Sequence, residues 1–267
     1  MGITSTVRRH LREVRSALRV VIAVLGTLLL AALHTGRTRP PEPPEPPVAD
    51  ARSLVVLVHG FGAGPDCWDA VAAALGGPGV AVVTHRYTWT AGVASLGAAL
   101  ADEVESLARR SGARSVTLVG HSLGGVIVAA SLADGRLAGV VTRVVTVAAP
   151  LRGTGWARLL PVGAVRDLRP GSPVLRSLAT PGVPWTALAS HADVVVAPAA
   201  AALEGTEAVV VDGVGHCGLL RDAGVVTRIA GLARPARHTR PARRTRTAAL
   251  ALAARPVAAR PALTVVA

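Results

Sequence analysis

Apolar and polar positions change period repeatedly along the middle of the chain. Leu54-Val55-Val56-Leu57-Val58 is an unbroken apolar run, as expected of a strand buried on both faces. A helical pattern follows over about 66–75, then a short apolar strand, Val80-Ala81-Val82-Val83. Helical spacing over about 93–108 leads to the strand Ser115-Val116-Thr117-Leu118-Val119. A helix over about 123–132 and a strand Val144-Val145-Thr146-Val147 come next. Strands near Trp185-Thr186-Ala187-Leu188 and Ala208-Val209-Val210-Val211, and a helix over about 219–232, complete the series. Strands alternating with helices predict an α/β fold: a mostly parallel sheet of about six strands with helices on both faces. Ligands of such sheets bind beyond the carboxyl ends of the strands. Chemistry is therefore sought just after each strand.

The flanks read differently. Arg8, Arg9, Arg12, Arg15 and Arg19 precede an uncharged apolar run from Val20 to Leu33. As a helix that run spans about 21 Å, short of the ~30 Å hydrocarbon core. Residues 1–39 are expected to be a signal peptide or signal anchor, which predicts that the rest of the chain is exported, membrane-anchored or secreted. Residues 40–49 carry Pro40-Pro41-Glu42-Pro43-Pro44-Glu45-Pro46-Pro47, an extended polyproline spacer. Residues 50–232 form the expected domain, and 233–267 a basic tail without periodicity, expected to be disordered.

Charge changes one conclusion. The chain carries a net +13, which on its own suggests a nucleic-acid partner. But the domain segment 50–232 is nearly neutral, with 14 arginines against 13 acids, and the excess lies in the ends. None of the chain's few aromatics sits in an arginine run. No nucleic acid is expected as partner; membrane association through the N-terminal segment is expected, and the charge of the basic tail is compatible with weak attraction to anionic lipid.

After the third strand comes Gly120-His121-Ser122-Leu123-Gly124-Gly125, a G-x-S-x-G turn between an apolar strand and a helix. Such a turn pushes the Ser122 hydroxyl out of the sheet edge and points the Leu123 N–H at a developing oxyanion. After the first strand comes His59-Gly60-Phe61-Gly62-Ala63-Gly64. It lacks a phosphate-loop register, and the Phe61 N–H is the expected second oxyanion donor; His59 is read as bracing the loop. A serine nucleophile needs a base. His216 lies after the last strand in a glycine-bearing loop, and His121 faces away from the serine. Asp193, after the penultimate strand, is the candidate carboxylate, with Asp212 as rival. The order Ser122, Asp193, His216 is one that strand-end chemistry of this kind uses.

At these residues the chain resembles the α/β-hydrolase superfamily, specifically the small bacterial lipases and esterases with a minimal sheet. The resemblance spans about residues 53–232. Ala149-Pro150-Leu151-Arg152-Gly153-Thr154 is similar to a lipase stretch that usually has histidine where Leu151 stands. The resemblance implies hydrolysis of carboxylic esters through an acyl-enzyme, with no cofactor and no metal. Two other classes stay open: an acyltransferase on the same triad, and a non-catalytic binding protein on the same fold. Residues 151–184 carry Trp156, Leu159, Leu160 and Val162, an expected apolar cap over the serine. Tyr87, Trp89, Trp156 and Trp185 are read as a pocket wall, with Trp89 and Trp156 as candidate substrate contacts for a lipid or short-acyl ester. Cys67 and Cys217 sit on loops expected over one sheet edge, so a disulfide and two separate thiols are both open.

Overall fold

Residues 51–160, 162–178 and 182–234 are described by the computed structural model, and all belong to one folding unit. The expected signal segment, the proline-rich spacer and the basic tail beyond Arg234 lie outside the described residues. Each strand forms where an apolar run predicts it. In chain order the elements are β1 (Ser53–Val58), a 3-10 turn (Pro65–Trp68), α1 (Asp69–Leu75), β2 (Val80–His85) and α2 (Val93–Ser111). Then come β3 (Ser115–His121), α3 (Leu123–Ser131) and β4 (Val141–Val147). A connecting segment follows, made of a 3-10 turn (Gly155–Arg158), α4 (Gly163–Asp167) and α5 (Pro173–Ser177). It leads to β5 (Trp185–Ser190), β6 (Glu207–Val211), a 3-10 turn (His216–Gly218) and α6 (Ala223–Ala233).

The six strands are all parallel, in the order β2-β1-β3-β4-β5-β6. Every residue of β1 is buried, and its side chains alternate between two cores. Leu54, Val56 and Val58 join the layer with α2 and α3, whereas Val55 and Leu57 join the one with α1 and α6. The unbroken apolar run of β1 is thus what burial on both faces requires. On α2 the buried positions Val93, Leu96, Leu100, Val104 and Leu107 repeat at helical spacing, and Gly112, at φ +64°, ends the helix in the left-handed region. The strand order reverses between β1 and β3, and the crevice at their carboxyl ends is where such sheets receive ligands.

Two boundaries differ from the periodicity. The last helix begins at Ala223, because Asp222 caps it by accepting the Val225 N–H at 2.9 Å. It also runs through Ala233, which is fully buried, so the domain extends one residue past the expected start of the tail. The segment between β4 and β5 is tied to the body. Asp167 Oδ2 accepts the Val93 N–H at the start of α2 (2.9 Å), and the Ala164 N–H donates to the Trp89 carbonyl (2.9 Å). Among the described residues no helix is long and apolar enough to cross a membrane.

Candidate active site

Ser122 leaves β3 with φ 52° and ψ −124°, in the left-handed half of backbone space that a residue with a Cβ rarely adopts. The neighbouring glycines make this turn possible. A Cβ at Gly124 would lie 2.2 Å from the Val58 carbonyl oxygen, and one at Gly120 would lie 2.5 Å from the Gly125 Cα. The Ser122 N–H is held by the Val147 carbonyl at 2.9 Å. Its hydroxyl is thereby set at the crevice between β1 and β3.

His216 reaches that hydroxyl, with Nε2 at 2.9 Å from Ser122 Oγ. On its other side Nδ1 lies 2.7 Å from Asp193 Oδ2. A carboxylate only accepts, so Nδ1 carries the proton and Nε2 is left to accept from the serine. The Asp193 side chain is 1% exposed. Its second oxygen, Oδ1, accepts the N–H groups of Val195 (2.8 Å) and Val196 (2.9 Å). Burial pushes the carboxyl pKa up. The His216 hydrogen bond and charge and the two backbone donors outweigh it and hold the group below its ordinary value. Asp212, the rival, is not part of this chain of contacts; its side chain is 88% exposed and pairs with the exposed His191 at 2.8 Å.

The loops carrying the acid and the base are fastened to each other. Ser190 Oγ donates to the Val214 carbonyl at 2.6 Å and accepts the Ala192 N–H at 3.1 Å. Thr154 Oγ1 donates to the Val195 carbonyl at 2.6 Å, which anchors the segment after β4 to the Asp193 loop. His121 lies beside the relay. Its Nε2–H donates to the His216 carbonyl at 3.3 Å, and its ring centroid is 4.9 Å from that of His216. Full burial, aided by the neighbouring His216 charge, drives the His121 pKa down to about 3, and its Nδ1 has no hydrogen-bond partner among the described residues. The spacing of residues gave no sign of this support for the base, because the contact crosses 95 residues.

The two expected oxyanion donors flank the serine. The Leu123 N–H is the first of α3, and the Phe61 N–H follows Gly60, where a Cβ would come within 3.1 Å of the Ser122 Cβ. Among the described residues neither N–H has a protein acceptor. The aromatic wall is smaller than expected. Trp185 is buried in β5 and donates to Thr146 Oγ1 at 3.1 Å, so it belongs to the core. Tyr87 braces the backbone near the loop after β1, with its hydroxyl donating to the His59 carbonyl at 2.7 Å. Trp89 packs edge-on against Phe61, with centroids 4.9 Å apart. Trp156 donates to the Val194 carbonyl at 2.9 Å and lines a cleft of about 550 Å³ with Leu159, Val194 and Asp193. Leu151, at the position of the usual histidine, is a buried core residue. Cys67 and Cys217 are free, so the disulfide alternative is not realised; burial pushes both thiols up, Cys67 to about 12. Among the described residues no group of three or more His, Cys, Asp or Glu could hold a metal ion.

A family model described as the alpha/beta hydrolase family matches residues 55–266. No curated protein matches the chain in sequence. Among solved structures the chain is similar to the mature lipase BlEst2 of Bacillus licheniformis, at 18% identity, over 73% of this chain and 96% of that one, with a TM-score of 0.58. It is also similar to the phospholipase PlaB of Legionella pneumophila, at 15% identity, over 68% of this chain and 59% of that one, with a TM-score of 0.59. A third is an esterase domain from a Rhodothermus marinus protein, at 20% identity, over 70% and 87%, with a TM-score of 0.50. At these identities the likeness is one of fold.

Proposed function

The chain belongs to the alpha/beta hydrolase family, and on that premise we propose that it is a serine hydrolase that cleaves carboxylic esters through an acyl-enzyme. The observation that carries this reading is the unbroken relay from Asp193 through His216 to Ser122, at 2.7 and 2.9 Å. In the reading, Ser122 Oγ attacks the ester carbonyl carbon while His216 Nε2 takes its proton. The carbonyl oxygen becomes an oxyanion and accepts the Phe61 and Leu123 N–H groups. His216 then returns the proton to the departing alkoxide, and the alcohol leaves the acyl-serine. Water repeats the sequence: His216 takes its proton, the hydroxide attacks the acyl carbon, and Ser122 is released with the acid. Asp193 stays ionised throughout; it holds the tautomer and offsets the positive charge of His216.

The substrate is a lipid or short-acyl ester. The apolar cleft that Trp156 and Leu159 line together with Asp193 suits an acyl chain, as does Trp89 against Phe61. Ser122→Ala is the direct test, read on a chain-length series of p-nitrophenyl esters. The relay predicts a loss of about 10⁶-fold in kcat, with folding retained because the turn depends on its glycines. A well-folded mutant within tenfold of wild type would overturn the assignment. The arginine-flanked apolar run at the head supports export of the catalytic segment. Protease added to intact cells should then cut the proline-rich spacer; full protection, with activity only in the cytosol, counts against it.

A further inference from the structure

The loop after β1 contains an arrangement that the relay does not use. His59 is buried, and its imidazole lies flat on the Tyr87 ring, with centroids 4.4 Å apart and planes 9° apart. On the Tyr87 ring stacks His85 as well, at 5.9 Å and 17°. His85 Nδ1 is in turn hydrogen-bonded to the Glu103 carboxylate on α2. The Tyr87 hydroxyl donates to the His59 carbonyl at 2.7 Å. The chain's one tyrosine therefore holds His59 at both its ring and its backbone.

His59 passes that constraint on. Its Nδ1–H donates to the Gly60 carbonyl oxygen at 3.0 Å, and the same oxygen takes the Ala63 N–H at 3.3 Å. The Gly60 carbonyl and the Phe61 N–H are two ends of one planar trans peptide unit, so they point in opposite directions. Turning the oxygen toward His59 and Ala63 turns the Phe61 N–H the other way. Gly60 abuts the serine, since a Cβ there would be 3.1 Å from the Ser122 Cβ. Burial lowers the His59 pKa, so its ring is neutral near pH 7. A carbonyl partner then selects the tautomer with the proton on Nδ1.

Resting on the serine-hydrolase reading above, we propose that His59 and Tyr87 are positioning residues that together hold the Gly60–Phe61 peptide with its N–H aimed at the oxyanion before substrate arrives. A flipped peptide would present a carbonyl oxygen to the site, placing an acceptor where a donor is needed. The effect acts on the charged tetrahedral species more than on the bound ester, so it is felt in kcat rather than KM.

The test compares full-length His59→Leu, His59→Asn and Tyr87→Phe. The readouts are kcat and KM on a p-nitrophenyl ester, the inhibition constant of a boronic acid that forms a tetrahedral adduct with Ser122, and the thermal midpoint. Loss of one oxyanion donor costs about 10²–10³-fold in kcat, so His59→Leu is expected to lose on the order of 10²-fold. KM should change little, and boronate affinity should fall in parallel with kcat. His59→Asn should recover most of both, because its side-chain N–H can stand in for Nδ1–H. Tyr87→Phe keeps the stack but removes the donor to the His59 carbonyl and should fall between. Wild-type kcat and boronate affinity in His59→Leu, or an Asn variant no better than Leu, would overturn the inference. If the Leu variant fails to fold, Tyr87→Phe decides, since it removes a single oxygen. Activity surviving in Ser122→Ala would instead sink the serine-hydrolase reading itself, whatever the His59 variants do.

Discussion

Replacing Asp193 by asparagine removes a charge while nearly preserving shape, and the structure dictates how the new amide must sit. Oδ1 of Asp193 accepts two backbone N–H groups, from Val195 at 2.8 Å and Val196 at 2.9 Å. The amide oxygen of the variant has to take that place, because an NH₂ group there would face two donors. The amide nitrogen is therefore forced toward His216 Nδ1, 2.7 Å from the present Oδ2. As a donor it requires Nδ1 to accept, so the imidazole proton moves to Nε2, the atom that faces Ser122 Oγ at 2.9 Å. The base then offers a proton where it should receive one. A wrong tautomer of this kind costs about 10⁴-fold in kcat, or about 5 kcal/mol in the barrier. No rotation of the amide relieves it, so the loss should approach the full value. The assay is steady-state hydrolysis of a p-nitrophenyl ester by Asp193→Asn, with circular dichroism to verify folding. Asp212→Asn is the control; it changes an exposed surface pair and should stay close to wild type. A folded Asp193→Asn within tenfold of wild type, or a large loss in Asp212→Asn instead, would refute the reasoning.

Two further outcomes concern stability. His121 has its pKa lowered to about 3 by burial, against 6.5 in the unfolded chain, so between those values the unfolded state binds a proton that the folded state does not. Stability should thus fall as pH drops from 6.5 toward 3, by up to about 1.4 kcal/mol per pH unit from this group. His121→Asn should flatten that slope in urea titrations at several pH values, and equal slopes in the two proteins would count against it. Gly97→Ala would place a Cβ 2.7 Å from the Ala130 Cβ, where α2 crosses α3. Overpacking costs about 1–3 kcal/mol and helix propensity returns about 1 kcal/mol. Net destabilisation is expected in urea unfolding; a stabilised variant would show that the helices can part without cost.

Much of the fold was legible because its signals are local. A strand buried on both faces carries apolar side chains on both, and β1 does so without a break from Leu54 to Val58; a helix over a sheet has to repeat its apolar residues at helical spacing, and α2 does. The Ser122 turn was legible for the same reason, since Gly120 and Gly124 flank it within a few residues and no side chain fits in their place. The choice between Asp193 and Asp212 was not local. Both follow strands and both precede His216, but only Asp193 receives the Val195 and Val196 amides and the His216 imidazole. Only the packing of the β5 and β6 loops against each other decides that. Aromatic residues misled for a related reason: their type does not say which face they occupy, and Trp185 lies in the core while Trp156 lines the cleft. The His59–Tyr87 stack and the His121 contact with His216 join residues 28 and 95 positions apart. Contacts of that range arise only after the sheet has brought the strand ends together. The order of residues therefore determines the elements and the nucleophile's turn, and the tertiary structure decides which side chains meet there.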